Sequence, residues 1–323
     1  MRVLSGIQPS GKLHLGNYLG AMQQHLQMQH EHECFFFIAN YHTLTTVQDR
    51  DRLLELSRDV ALDYLALGLD PDKVNLFYQS DIPEVTELTW ILSTVTGKGL
   101  LDRATSYKDK IARGITPSMG LYSYPILMAA DILIYRSDRV PVGKDQLQHI
   151  EMAQDMAGYF NNTFGCDVLK RPEPQLNEAP VVPGLDGQKM SKSYDNTIPL
   201  FDTAKKTRKR IMSIKTDSKT VDEPKDPDGC NIFALYRLLA EPAEIADLEN
   251  RYRAGGMGYG DAKKALAEVV ERLLGPARER RERLAADPQR LDEILHAGAV
   301  KARQVARGVL ADVREAAGLA GTF

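Results

Sequence analysis

Two short stretches carry residue types at spacings suited to work on phosphates. The first is Gly6-Ile7-Gln8-Pro9-Ser10-Gly11-Lys12-Leu13-His14-Leu15-Gly16-Asn17. It reads as the end of a strand, a tight turn and the start of a helix. Amides at a helix N-terminus point outward with partial positive charge and suit an anion. Gly16 removes a side chain where a nucleotide ring or ribose would approach the backbone. His14 and Asn17, three apart, share a helical face and can donate toward one ligand. Alone, the turn also reads as a helix start with a structural histidine. The second stretch is Lys189-Met190-Ser191-Lys192-Ser193, in a loop flanked by Gly184 and Gly187. Two lysines three apart can grip a pyrophosphate as charge develops on it, which favours a transition state over a ground state. Alone, this loop also reads as a solvated surface.

A third pattern lies between them. Leu121 to Tyr135 is an apolar helical segment carrying one acid, Asp131. A carboxylate in an apolar helix is costly unless it meets a donor. Tyr124, Met128 and Asp131 recur at four and three residues and so share a face. The residues alone leave two readings of Asp131: a core acid bonded to protein amides or an arginine, or an acceptor for a ligand.

The elements that must position these groups are legible as a pattern. Arg2 to Ile7, Cys34 to Ala39, Val74 to Tyr78 and Val140 to Val142 read as strands, separated by helical stretches. One helix is expected from near His14 to about Glu31. Another, capped by Asp49, carries Leu53, Leu56, Val60, Tyr64 and Leu67. A third carries Leu147, Ile150, Ala153, Ala157 and Phe160. Strands alternating with helices predict a parallel sheet with right-handed crossovers. Gly165 to Gly187, with its prolines, reads as loop. From about Asp202 the pattern is helical and charged. The expected architecture is α/β, a doubly wound Rossmann-like parallel sheet with a C-terminal all-helical domain. Its boundaries are a catalytic domain over 1–200, a helical domain over 201–290, and a C-terminal helix over 291–323 packing back on the first domain.

Composition excludes several classes. Of 323 residues, 43% are hydrophobic and 26% charged, as in an ordinary globular chain with a sizeable core. The net charge of −3 announces no nucleic-acid partner, though a local basic patch is compatible with it. Lys205, Lys206, Arg208, Lys209 and Arg210 form one such run, and Arg278, Arg280, Arg281 and Arg283 another. Each reads either as a solvated helical face or as an RNA contact. Cys34, Cys166 and Cys230 lie far apart, without metal-ligand spacing or a disulfide framework. No signal peptide or membrane span is expected.

The glycine-rich turn after the first strand and the Lys-Met-Ser-Lys-Ser loop after the last form a joint signature. Together with Ser5 to Gly11, Ser123 to Leu133 and Val140 to Gln146, they make the chain resemble the class I aminoacyl-tRNA synthetases, specifically the bacterial tryptophanyl branch. The match extends over essentially the whole chain. The last position of the first motif is Asn17 where histidine is also found, and an amide can serve there. The three cysteines do not supply the spacing of the iron–sulfur cluster that some relatives carry.

The resemblance implies an ATP-dependent ligase that forms tryptophanyl-adenylate and then loads tRNA(Trp). It implies that Gln8 serves the carboxylate and α-phosphate region, and that Pro9, Ser10, His14, Gly16 and Asn17 serve the nucleotide. Gly143, Lys144 and Asp145 would line the adenosine, with the Val181 backbone near adenine. Lys110, Lys189 and Lys192 would meet the phosphates, alongside Met190, Ser191 and Ser193. Asp131 would accept the indole N–H, with Met128 on the ring and Tyr124 and Gln146 holding the amino group. Mg2+ would bridge phosphate oxygens without a dedicated protein cage. The resemblance further implies a homodimer in the cytoplasm, for which Leu88, Trp90, Ile91, Leu100 and Leu101 are the candidate apolar surface. The rival readings are a tyrosyl enzyme, a small-metabolite nucleotidyltransferase and a non-catalytic RNA-binding regulator.

Overall fold

Continuous apolar runs alternating with helix-period stretches build one parallel sheet with helices on both faces. The computed structural model describes residues 1–9, 11–104, 107, 111–112, 114, 116–176 and 180–319. Strands β1 (Arg2–Ile7), β2 (Glu33–Ile38), β3 (Val74–Tyr78), β4 (Arg139–Val142) and β5 (Glu173–Leu176) lie in the order β3-β2-β1-β4-β5. Every pairing is parallel. The order reverses between β1 and β4, and ligands bind such sheets outside the strand C-termini at that reversal. The turn after Ile7 and the segment after Val142 both emerge there.

Side-chain alternation divides the core. Val3, Cys34, Phe36, Ile38 and Leu76 face one side and join α4 (Arg50–Ala66) and the helical region. Leu4, Phe35, Phe37 and Phe77 face the other and pack on α5 (Glu84–Val95), α7 (Met119–Leu133) and α8 (Leu147–Phe164). Asp49 caps α4 by accepting from the Arg52 amide at 2.7 Å, as its position in the sequence predicts. Two short helices, α3 (Asn40–Thr43) and α6 (Lys98–Asp102), lie in the connections.

Three local expectations need correcting. The single helix expected from His14 to about Glu31 is α1 (Leu15–Asn17), a π turn (Tyr18–Met22) and α2 (Gln23–Met28). It ends at Met28, and the amides of Glu31 and His32 both turn back to the Met28 carbonyl, at 3.1 and 3.0 Å. The stretch read as loop from Gly165 contains β5, a short edge strand with Pro174 inside it. It lacks an apolar signal because it is largely exposed, and an edge position tolerates the proline. Leu88, Ile91, Leu100 and Leu101 are not surface but core, packed in the α5–α7 side. Of that group only Trp90 is exposed, at 70%.

After the sheet come α9 (Ala204–Met212), α10 (Asn231–Arg237), α11 (Pro242–Ala254) and α12 (Tyr259–Ala286). The chain breaks at Asp287 and returns as α13 (Pro288–Ala316). Leu291, Ile294 and Leu295 of α13 belong to the core on the α4 side, whereas Ala299, Ala302, Ala306 and Val309 belong to the other. The helix therefore crosses the edge of the sheet at β3. Gly298 stands at the crossing, where an added Cβ would lie 2.1 Å from the Leu76 carbonyl oxygen. Among the described residues no helix is long and apolar enough to cross a membrane.

Candidate active site

The turn after β1 is stitched through backbone to the segment that follows the lysine loop, and through one thioether to the loop itself. The Leu15 amide donates to the Ile198 carbonyl at 2.9 Å, and the Leu200 amide to the Leu13 carbonyl at 3.0 Å. The Gly16 amide donates to the Met190 thioether sulfur at 3.3 Å. A Cβ on Gly16 would stand 3.0 Å from the His14 ring and 3.4 Å from Met190, so the glycine keeps this junction open. Gly11 has φ +99, which suits glycine, and a Cβ there would lie 3.8 Å from the Lys192 ammonium. Gln8 is exposed and Pro9 buried at the end of β1. The Asn17 side-chain oxygen accepts from the His14 amide at 3.0 Å, which closes the turn.

His14 is buried, and among the described residues nothing hydrogen-bonds its Nδ1. Desolvation first, and the nearby Lys192 charge second, lower its pKa to about 4. It is thus neutral at physiological pH, and its unused ring nitrogen is one observation that fits a polar ligand here. Partial desolvation also lowers the pKa of Lys192. Lys189 and Ser193 are exposed and Ser191 is half-buried.

A buried asparagine that the sequence reading missed holds the loop. Asn196 is 2% exposed. Its Oδ1 accepts from the Ser191 amide at 2.8 Å, and its Nδ2 donates to Asp186 at 2.8 Å and to the Lys189 carbonyl at 3.2 Å. The Met190 amide donates to the Val182 carbonyl at 2.8 Å, so the loop base is a small antiparallel bridge. Val181 beside it is exposed. Gly143 begins a turn containing the exposed Lys144 and Asp145 at the end of β4. Ser10 and Lys110 lie outside the described residues.

The second cluster surrounds Asp131, which is 2% exposed on α7. His42 Nε2 lies 2.9 Å from its Oδ2, and Gln79 Nε2 donates to both oxygens at 2.8 Å. Burial raises its pKa, while the His42 and Gln79 hydrogen bonds pull it back. The core reading expects protein amides or an arginine as its partners: Gln79 supplies an amide, and the other partner is a histidine. A carboxylate offers about four acceptor sites, so capacity remains for a ligand donor. The Tyr124 ring meets His42 edge-on at 6.2 Å, and its hydroxyl lies 2.9 Å from His149 Nε2. Met128 is half-buried on the same helix. The half-buried Gln146 donates to Asp145 at 3.0 Å.

His42, Gln79 and His149 were also missed. Gln79 directly follows β3 and His42 lies in α3, four residues beyond the end of β2; polar residues just beyond parallel strands are the signal that could have found them. His149 sits among apolar positions of α8 and carries no such signal.

The two basic runs fare differently. Lys205, Lys206, Arg208 and Lys209 are exposed on α9, while Arg210 donates to the Thr197 carbonyl at 3.0 Å. In the second run, Arg280 donates to the Ala66 carbonyl at 2.7 Å, and Arg281 grips Asp59 and Asp63 at 2.6 and 2.5 Å. Arg278 is paired with Glu271. That run mainly fastens α12, leaving Arg283 exposed.

Known proteins decide the family. The family described as tRNA synthetases class I (W and Y) matches residues 1–275. The tryptophan–tRNA ligase of Rhodopirellula baltica is 54% identical, covering 99% of this chain and all of the relative. The tryptophanyl-tRNA synthetase of Campylobacter jejuni, solved with ADP and tryptophan, superposes with a TM-score of 0.95 at 48% identity, covering 99% of this chain and 100% of that one. This chain belongs to the bacterial tryptophan–tRNA ligases of class I. A tyrosyl-tRNA synthetase of Archaeoglobus fulgidus shares the fold at a TM-score of 0.65 and 23% identity, over 87% of this chain and 90% of that one. Within the tryptophan family, the parallel sheet, the interlocked turn and loop, and the buried acid on α7 are parts of one ligase.

Proposed function

We infer that this chain activates L-tryptophan with ATP and transfers it to the 3'-terminal ribose of tRNA(Trp). The observation that carries this reading is the junction of the β1 turn with the Lys-Met-Ser-Lys-Ser loop, set beside a buried acid at the strand C-termini. In the first step the substrate carboxylate attacks the α-phosphorus, the bond to the β-phosphate oxygen breaks, and pyrophosphate leaves. The carboxylate is already ionised, so positioning and charge stabilisation carry the rate. Lys189 and Lys192, with Lys110, meet the departing phosphates in this reading. Gln8, Pro9, Ser10, the neutral His14, Gly16 and Asn17 bind the nucleotide from the turn, and Gly143, Lys144, Asp145 and the Val181 backbone flank the adenosine. Met190, Ser191 and Ser193 shape the loop around it. In the second step a terminal ribose hydroxyl attacks the activated carbonyl and AMP leaves.

For tryptophan, Asp131 accepts the indole N–H, Met128 packs on the ring, and Tyr124 and Gln146 take the amino group. A side chain without that donor forfeits a hydrogen bond to Asp131, worth about 0.5–3 kcal/mol, while His42 and Gln79 keep its oxygens bonded. That selectivity needs no editing site. Mg2+ enters as a partner of the ATP phosphates. Among the described residues no group of three His, Cys, Asp or Glu gathers to hold a metal. Residues 1–200 carry this chemistry, 201–290 read the tRNA, and 291–323 pack back on the first unit. The exposed cations of α9 support tRNA binding better than the fastened arginines of α12. A homodimer in the cytoplasm completes the reading, with exposed Trp90 as its apolar contact.

The test is ATP–pyrophosphate exchange with each of the twenty amino acids and no tRNA. Exchange with tryptophan alone is expected. Exchange with tyrosine would overturn the role of Asp131, and none with any amino acid would overturn the catalytic reading.

A further inference from the structure

The turn from β3 to α5 is held from two sides. On the inner side, Gln79 donates to both Asp131 oxygens at 2.8 Å and accepts from the Tyr41 and His42 amides at 3.1 and 3.4 Å. Ser80 and Asn40 exchange two hydrogen bonds at 2.7 and 3.1 Å. On the outer side stands Glu84, the first residue of α5 and 8% exposed. Its Oε1 accepts from Arg303 at 2.7 Å and from Arg307 at 3.0 Å, both on α13. Burial alone would raise the Glu84 pKa, but these hydrogen bonds outweigh it and hold the acid ionised. Three residues on, Glu87 pairs with Arg314 of the same helix at 3.0 Å.

A buried tyrosine lies near both acids, and among the described residues nothing hydrogen-bonds its hydroxyl. Tyr135 lies one helical step beyond Asp131 and is 1% exposed. The Asp131 and Glu84 carboxylates both act on its hydroxyl, after desolvation, to raise its pKa. Packing adds a second link, because α13 approaches the Leu76 backbone so closely at Gly298 that a Cβ there would not fit. Residues 288–316 of this helix lie beyond the 1–275 span that the family description matches.

We propose that Glu84, clamped by Arg303 and Arg307 of α13, is a positioning residue for the tryptophan pocket. The helix fixes the β3–α5 turn, the turn fixes Gln79, and Gln79 orients the Asp131 carboxylate. The proposal rests on the reading of Asp131 as the indole acceptor. It makes the pocket depend on a helix that touches no substrate and that continues directly from the helical region.

The test is pyrophosphate exchange by the full chain, varying tryptophan and ATP separately. The variants are Glu84→Gln, the pair Arg303→Gln with Arg307→Gln, all three together, and Asp131→Asn, each with its melting temperature. Glu84→Gln and the arginine pair are each expected to raise the tryptophan KM at least about 5-fold, with the ATP KM held within about two-fold. The triple variant should be no worse than Glu84→Gln alone, because all three act through one contact. A tryptophan KM unchanged in Glu84→Gln and in the arginine pair, but raised in Asp131→Asn, would overturn the clamp and leave the pocket reading intact. An unchanged KM in Asp131→Asn would overturn the pocket reading and the clamp with it. A lowered melting temperature without a KM shift would reduce Glu84 to a fastening and overturn the proposal. If Glu84→Gln does not fold, the arginine pair carries the test, since those side chains are 39% and 64% exposed.

Discussion

The phosphate side and the amino-acid side of this site are built by opposite means. On the phosphate side, backbone amides and carbonyls join two loops, and the charged groups, Lys189 and Lys192, stand at the surface. On the amino-acid side, side chains from the ends of β2 and β3 converge on a buried acid in a helix, and each partner is itself held. The first arrangement leaves charge available to follow a group whose charge changes during the reaction. The second fixes an acceptor before any ligand arrives, which is what discrimination by hydrogen bonding requires.

The sharpest way to break this contrast is Lys192→Ala. Adenylation should slow by about 100- to 1,000-fold, the usual cost of one transition-state donor, with the tryptophan KM unchanged. Pre-steady-state adenylate formation measures both, and an equal loss in rate and tryptophan affinity would erase the division between the two sides. Asp131→Ala tests the other side. It removes the acceptor and strands the His42 and Gln79 donors, so the tryptophan KM should rise about 10- to 100-fold while the ATP KM stays put. A parallel rise in both would mean the acid serves the fold as a whole.

The smallest effect concerns pH. The His14 pKa falls from 6.5 to about 4 in the folded chain, so the unfolded chain takes up a proton in that window while the folded chain does not. The neutral ring's contribution is complete above pH 6.5 and is lost as the pH falls toward 4. Melting temperatures from pH 7 to 4 should fall less steeply in His14→Asn than in the parent. Identical slopes would show that His14 is not desolvated by the loop.

The two sides also differ in how far the sequence reveals them. The phosphate side is local: Gly16, His14, Lys189 and Lys192 lie in contiguous motifs whose spacing carries the chemistry. The parallel sheet is legible for a similar reason, since Cys34 to Ile38 is apolar without interruption. The amino-acid side is assembled from residues far apart in sequence. Asp131 stands out as an acid in an apolar helix, but its partners His42 and Gln79 look like ordinary loop residues until the sheet order places both strand ends together. Asn196 is hidden for the same reason, because its work is done with the Ser191 amide, the Lys189 carbonyl and the Asp186 side chain. β5 is hidden because an exposed edge strand containing proline has no hydrophobic period. Arg280 and Arg281 mislead in the opposite direction: a basic run in sequence is an interface with α4 in space.

The passage of α13 across the rim of β3 has a consequence for how the chain comes into being. A strand at the rim of a sheet offers unpaired peptide groups to any passing chain, and that is a route to aggregation. Here the cover is α13, beginning at Pro288, so it leaves the ribosome after all five strands of the sheet. Until then the β3 rim is open to solvent and to neighbouring nascent chains. Gly298 admits the helix to within contact of the Leu76 backbone, so closure of that rim depends on a residue without a side chain. A bulkier residue there would leave a chain with its motifs intact but with a sheet that remains adhesive.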